Sequence, residues 1–474
     1  MTQPPVIVWF RRDLRLSDHA ALAAAVATGG PVIPVFIHDE TVEALGAAPK
    51  WRLGEGVRCF AAALEAAGSR LILRRGPALE VLRALVAETG AAAVHWQRVY
   101  DRDGIARDRA VKAALTEAGI AARSFPGATL FEPWEVQTGA GGPYRVFTPF
   151  WRAIRGRAVA APLAAPAYLS GPANWPIGDR LDDWAMGASM NRGAAIVARH
   201  AVIGEAAARE RLGRFLEERL DMYSEGRDLP ALNATSGLSE NLAWGEISPR
   251  QIWHAALRDW QAGRLGAEKF LSELAWRDFA WHLIYHAPDL DRANWRADWD
   301  AFPWRGDNAD AERWRRGMTG EPFVDAAMRE MYVTGRMHNR ARMIAASYLT
   351  KHLLTDWRVG LNWFATCLTD WDPASNAMGW QWVAGSGPDA APFFRIFNPA
   401  TQAAKFDADG AYRRCWIAEG QGAPPMTALS YFRAVPRGSG MAATENYPEP
   451  TVILSEGRAR ALAALGSFGK ARGG

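Results

Sequence analysis

Arg336-Met-His-Asn-Arg-Ala-Arg-Met343 is the run of sequence around which the second half of the chain is organised. As a helix it places Asn339, Arg342 and Met343 on one side, because positions three and four apart are neighbours. The surrounding segment is apolar enough to be core, where charges are tolerated only when they are paired or bound to a ligand. The run therefore predicts polar groups that face either one another or a bound molecule.

A second run, Asp370-Trp-Asp-Pro-Ala-Ser-Asn-Ala-Met-Gly-Trp-Gln-Trp382, follows in the same half of the chain. Helical spacing aligns Asp372, Asn376 and Trp380 at steps of four. Two interpretations are open on this pattern alone. One is a salt-bridged pair of buried helices with tryptophan packing, and the other is a site for a large polar ligand.

The order of the residues decides between these interpretations. The two runs, together with Phe393-Phe-Arg-Ile-Phe-Asn-Pro399, resemble the flavin-domain signatures of the DNA photolyase/cryptochrome family. The resemblance covers dozens of positions in order, and it implies that the ligand is FAD in its reduced, anionic form. It also implies a lyase that uses light-driven electron transfer to split cyclobutane pyrimidine dimers in UV-damaged DNA.

The composition fits a large globular protein. Its 474 residues suggest two or three domains, and no apolar run reaches the roughly 20 residues of a membrane-spanning helix. The start, Met-Thr-Gln-Pro-Pro, has no signal-peptide pattern, and three separated cysteines suggest neither a disulfide framework nor a metal site. We expect a cytoplasmic bacterial protein, associated with the nucleoid when bound to DNA. A net charge of +4 permits nucleic acid as a partner without requiring it.

Apolar runs alternate with helical patterns in the first part of the chain. We predict strands at 6–10, 32–37, 70–73, 93–96 and 120–124. This alternation predicts an α/β domain with a doubly wound parallel sheet at 1–130. An inter-domain linker at 131–200 and an all-α domain at 201–474 follow.

By resemblance, the first domain is the antenna domain of the family, and Phe10-Arg-Arg-Asp-Leu-Arg-Leu-Ser-Asp18 is its opening signature. Ligands of doubly wound sheets bind at the carboxyl ends of the strands. The family precedent implies a light-harvesting folate (5,10-methenyltetrahydrofolate) or 8-hydroxy-5-deazaflavin. Some members hold folate with an Asn-Glu pair, whereas this chain has Asp103-Gly104, which argues against that folate-binding mode.

Hydroxyl groups and small residues at 235–239 precede a predicted helix. Such a stretch is more often a plain serine cap than a pyrophosphate site at a helix N-terminus. With Tyr223 upstream, however, it resembles the flavin-entry motif of the family. The family often has arginine at the position of Gly237, so one phosphate contact is expected to be missing. The implied cofactor contacts are Tyr223, Thr235, Ser236, Gly237, Leu238 and Ser239.

Glu273 and Arg277 stand four apart, which is the spacing of an ordinary surface ion pair. Apolar neighbours, among them Phe270, argue for burial instead. The family motif Glu-x-x-Trp-Arg implies that Glu273 hydrogen-bonds the lesion and stabilises its radical anion. It also makes Phe270, Glu273 and Arg277 cofactor-side residues and places Trp276 at the lesion.

The remaining residues of the implied site follow from the two opening runs. The resemblance implies cofactor contacts from His338, Asn339, Arg342, Asp370, Asp372 and Asn376. Asn376 would face the flavin N5, and a neutral amide there suits photolyases. Trp380, Trp357 and Trp304 match the relay of three tryptophans that carries electrons during photoreduction, although three core indoles are the alternative.

A base flipped out of DNA exchanges its stacking for aromatic contacts, and guanidinium groups bind backbone phosphates independently of sequence. The alternative for each arginine is an ordinary solvated face. The lesion and DNA contacts that the resemblance implies are Arg227, Trp276, Asn339, Arg340, Met343, Trp382 and Arg395.

Within the family, the Met-His-Asn-Arg-x-Arg-Met run resembles the class I enzymes for cyclobutane dimers. Three cysteines are too few for the iron–sulfur cluster of another branch. The alternative function is a cryptochrome-type blue-light receptor that binds FAD without repair. Asn376, the lesion-pocket residues and the short segment after 450 speak against it. Family precedent implies a monomer.

Overall fold

Five fully parallel strands form one sheet in the order β3-β2-β1-β4-β5. The computed structural model describes residues 3–389, 391, 393, 395–444 and 446–473, so Phe394 of the third signature lies outside the described residues. β1, β2 and β4 are buried along their whole length because helices cover both faces, whereas β5 is a partly exposed edge. The strands are β1 (Val6–Phe10), β2 (Val32–His38), β3 (Ile72–Arg75), β4 (Ala93–Gln97) and β5 (Ala121–Phe125).

The helices around the sheet complete the predicted α/β unit. The predicted doubly wound fold is confirmed, and β3 starts two residues later than expected. The strand order reverses between β1 and β4, so their carboxyl ends flank the crevice where such folds bind ligands. The helices are α1 (Ala20–Val26), α2 (Glu40–Glu43), α3 (Ala47–Ala66), α4 (Ala78–Thr89) and α5 (Arg102–Glu117).

The connection between the sheet and the helical part has little regular structure. It contains α6 (Phe147–Ile154), α7 (Gly193–Val197) and short 3-10 turns. α6 is strongly amphipathic, since Phe147, Phe150, Trp151 and Ile154 are its buried residues. The connection is therefore a packed layer rather than a free tether.

The rest of the chain is helical, as predicted. Within the described ranges, no helix is long and apolar enough to cross a membrane. The helices are α8 (Glu205–Glu218), α9 (Tyr223–Gly226), α10 (Ser239–Ala243), α11 (Pro249–Gln261), α12 (Ala267–His286), α13 (Ala309–Arg315), α14 (Pro322–Thr334), α15 (Asn339–Ser347), α16 (Trp357–Cys367), α17 (Pro373–Ala384), α18 (Pro399–Phe406), α19 (Ala411–Trp416), α20 (Met426–Ala434) and α21 (Leu454–Gly473).

One helix prediction needs correction. A single helix was expected to carry the first run from residue 335, but Gly335 adopts φ +69° and ends α14. The left-handed conformation suits glycine, and it lets the chain turn before α15 begins. α15 starts at Asn339 behind the N-cap His338, and a π-helix at Tyr348–His352 continues it. The predicted common face of Asn339, Arg342 and Met343 survives, because all three lie in the first turns of α15.

Candidate flavin and lesion site

Asp370 lies at the centre of the polar groups in the helical part. Arg342 Nη2 donates to both carboxylate oxygens, at 2.9 and 2.7 Å, and Ser239 Oγ donates to Oδ2 at 2.8 Å. Arg342 Nε also donates to the Met337 carbonyl at 2.8 Å. Three predicted cofactor residues are thus brought together. Ser239 contacts this carboxylate, however, and not an open anion site.

Arg12, from the opening signature of the first domain, braces the same segment. Its Nη2 donates to the carbonyl of Trp371 at 2.8 Å and its Nε donates to that of Ala243 at 3.0 Å. Trp244 Nε1 donates to the Thr369 carbonyl at 2.7 Å, on the other side of Asp370. Arg12 was assigned only to the antenna domain from the sequence. The contact joins residues 359 positions apart, which no local pattern could reveal.

Asp372 orients the start of α17. Its Oδ1 accepts from the Ser375 backbone N–H at 2.8 Å, so it is the helix N-cap, and its Oδ2 accepts from Trp281 Nε1 at 3.0 Å. Asn376 lies one turn further on and donates from Nδ2 to the Leu361 carbonyl at 3.1 Å. The N-cap bond and the link to α12 fix the start of α17, the helix that carries Asn376.

Buried donors and acceptors without partners test whether this region fits a polar ligand. His338 Nδ1 accepts from the Arg340 N–H at 3.2 Å, while its buried Nε2 has no partner in the described part of the chain. Burial lowers the pKa of His338 to about 4, so the ring is neutral at physiological pH. Arg277 donates through Nη1 to the Ala128 carbonyl at 2.7 Å, and its buried Nε is likewise unpartnered. Such groups fit a cofactor with many hydrogen-bonding atoms, and FAD is one.

An arginine from α8 lies beside Gly237, where a phosphate contact was expected to be missing. Arg211 of α8 donates through Nη1 to the Gly237 carbonyl at 2.6 Å and to Asn241 Oδ1 at 3.1 Å. A Cβ built on Gly237 would lie 3.6 Å from the Arg211 guanidinium carbon. Burial and the nearby Arg336 lower the pKa of Arg211 to about 10, so it stays cationic at neutral pH. A guanidinium therefore stands beside the 235–239 turn, in which the Leu238 N–H donates to Ser236 Oγ at 3.4 Å.

Glu273 forms ion pairs on the open side of the site. It contacts Arg227 closely, and Lys269 Nζ lies 2.8 Å from its Oε1. The Glu273 side chain is 25% exposed, so an incoming molecule can reach it. Arg227 was predicted to bind a backbone phosphate, but in this structure it pairs with Glu273 and lies 5.5 Å from the Tyr223 ring. Tyr223 packs edge-on against Phe270 at 5.5 Å, so both predicted cofactor residues belong to the wall behind this pair.

The two predicted lesion indoles, Trp276 of α12 and Trp382 of α17, are half-buried. Arg395 is exposed, with its guanidinium carbon 5.9 Å from the Trp382 ring. Asn339 is exposed and its Nδ2 lies 3.9 Å from Met343 Sδ. Solvent can therefore reach each of these predicted lesion residues.

Arg340 is engaged by the protein itself. It donates to Asp228 Oδ2 at 2.6 Å, and its guanidinium carbon lies 4.4 Å from the Phe406 ring. Its predicted phosphate contact would have to share or replace the bond to Asp228.

The three predicted relay tryptophans occupy neighbouring segments. The indole of Trp380 packs against α16 at Gly360, which is one turn from Trp357. A Cβ atom added to Gly360 would lie only 2.0 Å from the Trp380 indole. Trp357 Nε1 donates to Asn294 Oδ1 at 2.9 Å. Trp304 precedes Arg305, which bridges to Thr355 just before α16. Trp380 and Trp357 are buried, whereas Trp304 is half-buried and can be reached by solvent.

The carboxyl ends of the strands, where an antenna is expected, are closely packed. Arg11 pairs with Asp108 at 2.7 Å and Arg107 pairs with Asp39 at 2.8 Å. Both guanidinium carbons lie over the Trp9 ring, at 4.4 and 4.7 Å. Arg11 Nε and Trp9 Nε1 have no partner in the described ranges, so some hydrogen-bonding capacity remains there.

Asp103, of the Asp103-Gly104 pair, lies at the boundary with the helical part. It pairs with Arg292 at 2.9 Å, and its neighbour Arg102 contacts Asp289. These pairs tie the start of α5 to the segment after α12. These ion pairs within the protein occupy the position that was compared with the Asn-Glu pair of some family members.

Comparison with known proteins agrees with this architecture. The family model "DNA photolyase" matches residues 6–167, and "FAD binding domain of DNA photolyase" matches residues 270–467. The deoxyribodipyrimidine photo-lyase of Agrobacterium fabrum is 46% identical over 98% of both chains. That of Synechococcus sp. is 38% identical over 88% of both.

A solved structure described as a bacterial class III photolyase from Agrobacterium tumefaciens superimposes with a TM-score of 0.91. It is 46% identical, and the match covers 99% of this chain and 98% of that one. The expected assignment to class I is therefore not supported. The broader assignment to the family is supported, because sequence and fold agree over nearly the whole length. The chain belongs to the DNA photolyase/cryptochrome family.

Proposed function

We propose that this protein is a DNA photolyase that uses light absorbed by reduced, anionic FAD to split cyclobutane pyrimidine dimers in UV-damaged DNA. The observation that carries the proposal is the open face of the site. There Glu273 is ion-paired yet a quarter exposed, one turn of α12 away from the half-buried indole Trp276, and Trp382 of α17 is a second half-buried indole. A cofactor site alone would not need a reachable carboxylate together with two partly exposed indoles. A flipped base needs both.

The residues around Asp370 would hold the cofactor. Arg342 and Asp370 form a nearly neutral pair, so they can orient a polar ring system without adding a large net charge. The neutral His338 and the amide of Asn376 offer hydrogen bonds on the same side. Arg211 would supply positive charge for the pyrophosphate beside the 235–239 turn. When bound, reduced FAD supplies the light-excited electron donor.

The lesion side would then act on the dimer. Trp276 and Trp382 offer aromatic faces in place of the lost base stacking. Glu273 would hydrogen-bond the dimer and stabilise the charge that develops on it, as a preorganised polar group does in other enzymes. Two carbon–carbon bonds of the cyclobutane ring break and the electron returns, so repair consumes no oxidant or reductant. Trp380, Trp357 and Trp304 would serve a separate step, the reduction of oxidised cofactor.

The similarity to the Agrobacterium enzyme leads us to propose class III as the subtype. An antenna chromophore, folate or deazaflavin, stays a prediction, as do the division of the chain at 130 and 200, the cytoplasmic location and the monomeric state. The two unpartnered donors at Arg11 and Trp9 support a ligand at the strand ends. The protein contacts of Asp103 argue against an Asn-Glu type of folate site.

The test is repair of a defined oligonucleotide that carries one thymine dimer. The protein with its cofactor reduced is incubated with this DNA under blue light and in the dark, and the products are separated by chromatography. We expect intact thymines only in the lit sample. A protein that binds FAD but leaves the dimer unchanged in both samples would be a blue-light receptor, which is the alternative function.

A further inference from the structure

The indole of Trp276 has one face covered by the protein. Phe147 of α6 lies against it with ring centroids 3.7 Å apart and planes at 13°, a parallel stack. Phe279 meets the same indole edge-on at 5.8 Å and also meets Phe147 at 5.8 Å. Phe147 itself is buried. The two phenyl rings fix the plane of the Trp276 indole and leave only its opposite face for a ligand.

A distant residue holds Phe147 in place. α6 has no capping side chain of its own, and Asp389 Oδ1 accepts the backbone N–H of Phe147 at 2.7 Å from 242 positions away. In return, the Asp389 N–H donates to the Arg145 carbonyl at 3.1 Å. A carboxylate at a helix N-terminus satisfies a free N–H and favours the helix dipole. Asp389 thereby acts as a cap supplied by another part of the chain.

The backbone at Asp389 adopts φ +59°, a left-handed conformation that aspartate and asparagine tolerate better than most residues. Asp389 also follows α17, which carries Trp382, the second indole of the lesion surface. Further along the same segment, the Arg395 guanidinium carbon lies 5.9 Å from the Trp382 ring. Residues after α17 therefore reach both predicted lesion indoles. Arg395 contacts Trp382 directly, and Asp389 acts on Trp276 through Phe147.

We propose that Phe147 and Asp389 are positioning residues that set the plane of Trp276, so that a flipped dimer stacks on its single free face. The proposal rests on the proposed function for the identity of the ligand. The positioning itself does not depend on DNA. The spacing of the two indole walls would then be decided by the segment after α17 and by α6, two elements outside the residues that contact cofactor.

The first experiment measures position without DNA. The protein is labelled with 5-fluorotryptophan and its ¹⁹F NMR spectrum is recorded. The resonance of Trp276 is identified as the signal that is missing from the spectrum of the Trp276→Phe variant. We expect it to shift and broaden in Phe147→Leu. The matched control is Phe150→Leu in the same helix, since Phe150 is equally buried and packs on Phe279, at 5.2 Å. An unmoved resonance in Phe147→Leu, or an equal shift in both variants, would overturn the proposal.

Asp389 offers a second pair of variants. Asp389→Gly removes the acceptor while suiting the positive φ, whereas Asp389→Asn keeps an oxygen in the same place. We expect Asp389→Gly to move the Trp276 resonance in the same direction as Phe147→Leu, and Asp389→Asn to leave it near the wild-type position. If both variants match wild type, Asp389 has no positioning role.

The second experiment measures dark binding of dimer-containing DNA and of undamaged DNA. For Phe147→Leu we expect roughly fivefold to tenfold weaker binding of the dimer, unchanged binding of undamaged DNA and an unchanged flavin spectrum. Repair at saturating dimer should be retained, since bound dimer still meets Glu273. If the Trp276 resonance moves in Phe147→Leu but the wild-type protein binds dimer-containing and undamaged DNA equally, the proposed function is refuted. The positioning role of Phe147 would still stand in that case.

Discussion

The strand ends of the sheet and the site around Asp370 are both dense in arginine and carboxylate, yet they differ in access. At the strand ends, the side chains of Arg11, Arg107 and Asp108 are 8 to 13% exposed and pair among themselves against Trp9. At the helical site, Arg342 is 28% exposed and Glu273 25%.

The difference teaches that charge density does not by itself indicate where a large ligand binds. Ion pairs that close on one another stabilise a fold, whereas ion pairs that keep one side open can be shared with a ligand. The helical site is of the second kind, and paired variants of the two regions test that distinction, from the largest expected effect to the smallest.

Asp370→Asn should have the largest effect. It removes the charge that pairs with Arg342 and leaves a partly buried cation, so we expect at least a tenfold loss of bound FAD, measured by the flavin absorbance per protein. The control at the strand ends is Asp108→Asn, which should lower the melting temperature but keep FAD. Equal FAD loss in both would mean that the two clusters do not differ in kind.

Trp380→Phe should largely abolish photoreduction of oxidised FAD while sparing repair by protein that is already reduced. Trp9→Phe is its counterpart at the strand ends, where Trp9 also lies near another indole, Trp96, at 6.1 Å. We expect wild-type photoreduction in Trp9→Phe, followed by absorbance under blue light. Unchanged photoreduction in Trp380→Phe would remove it from the relay.

Glu273→Ala should keep FAD and lower the repair yield at least tenfold, because a hydrogen bond to a charged group contributes about 1.5–3 kcal/mol. Glu268→Ala is the control on the same helix, since Glu268 is exposed and pairs with Arg155 at 3.3 Å. Dimers repaired per absorbed photon are measured for both. Wild-type repair by Glu273→Ala would refute its assigned role.

Arg211→Met should weaken FAD binding roughly threefold to tenfold by removing positive charge beside the 235–239 turn. Arg214→Met, also in α8, removes an exposed cation that pairs with Glu210. Titration of the FAD-free protein measures both affinities. If Arg211→Met binds FAD like wild type, the gap at Gly237 is not filled by Arg211.

The smallest expected effect is on the pH dependence of stability. Its direction differs between Glu330 in the helical part and Asp13 in the sheet domain. Burial raises the pKa of Glu330, which accepts the His338 N–H at 3.3 Å, to about 7. Its folded-state pKa is above 4.5, so the stability it contributes is present below pH 4.5 and lost as the pH rises to about 7. Glu330→Gln should therefore flatten the fall in melting temperature between pH 5 and 8.

Asp13, which follows β1, changes stability with pH in the opposite direction. Burial acts to raise its pKa, but the charge of His19 and the hydrogen bond to it, at 2.8 Å, bring the pKa below its ordinary value. The stability that Asp13 contributes is present above pH 3.8 and lost as the pH falls further. Asp13→Asn should destabilise the protein at pH 7 and lose less stability on acidification. The reverse pattern in either variant would contradict these pKa directions.

Much of the fold could be predicted because it is encoded locally. Strands that are buried on both faces must be continuous apolar runs, so β1, β2 and β4 are legible in the sequence. The turn of helix that carries Asn339, Arg342 and Met343 follows from spacing alone. The start of α15 could not be predicted from spacing, because Gly335 leaves the helical conformation at a place where the apolar pattern continues.

The amino-acid sequence by itself determined the two-part architecture, the family and the set of polar residues that meet around Asp370, since these depend on periodicity and on short ordered motifs. Only the tertiary structure decided that Arg12 braces Trp371, that Arg211 stands beside Gly237 and that Phe147 covers Trp276. The first and last of these contacts join residues more than a hundred positions apart, and the second joins α8 to the 235–239 turn. The physical reason is that a side chain's partner across the fold is chosen by packing and hydrogen-bond geometry, which leave no periodic trace in the sequence.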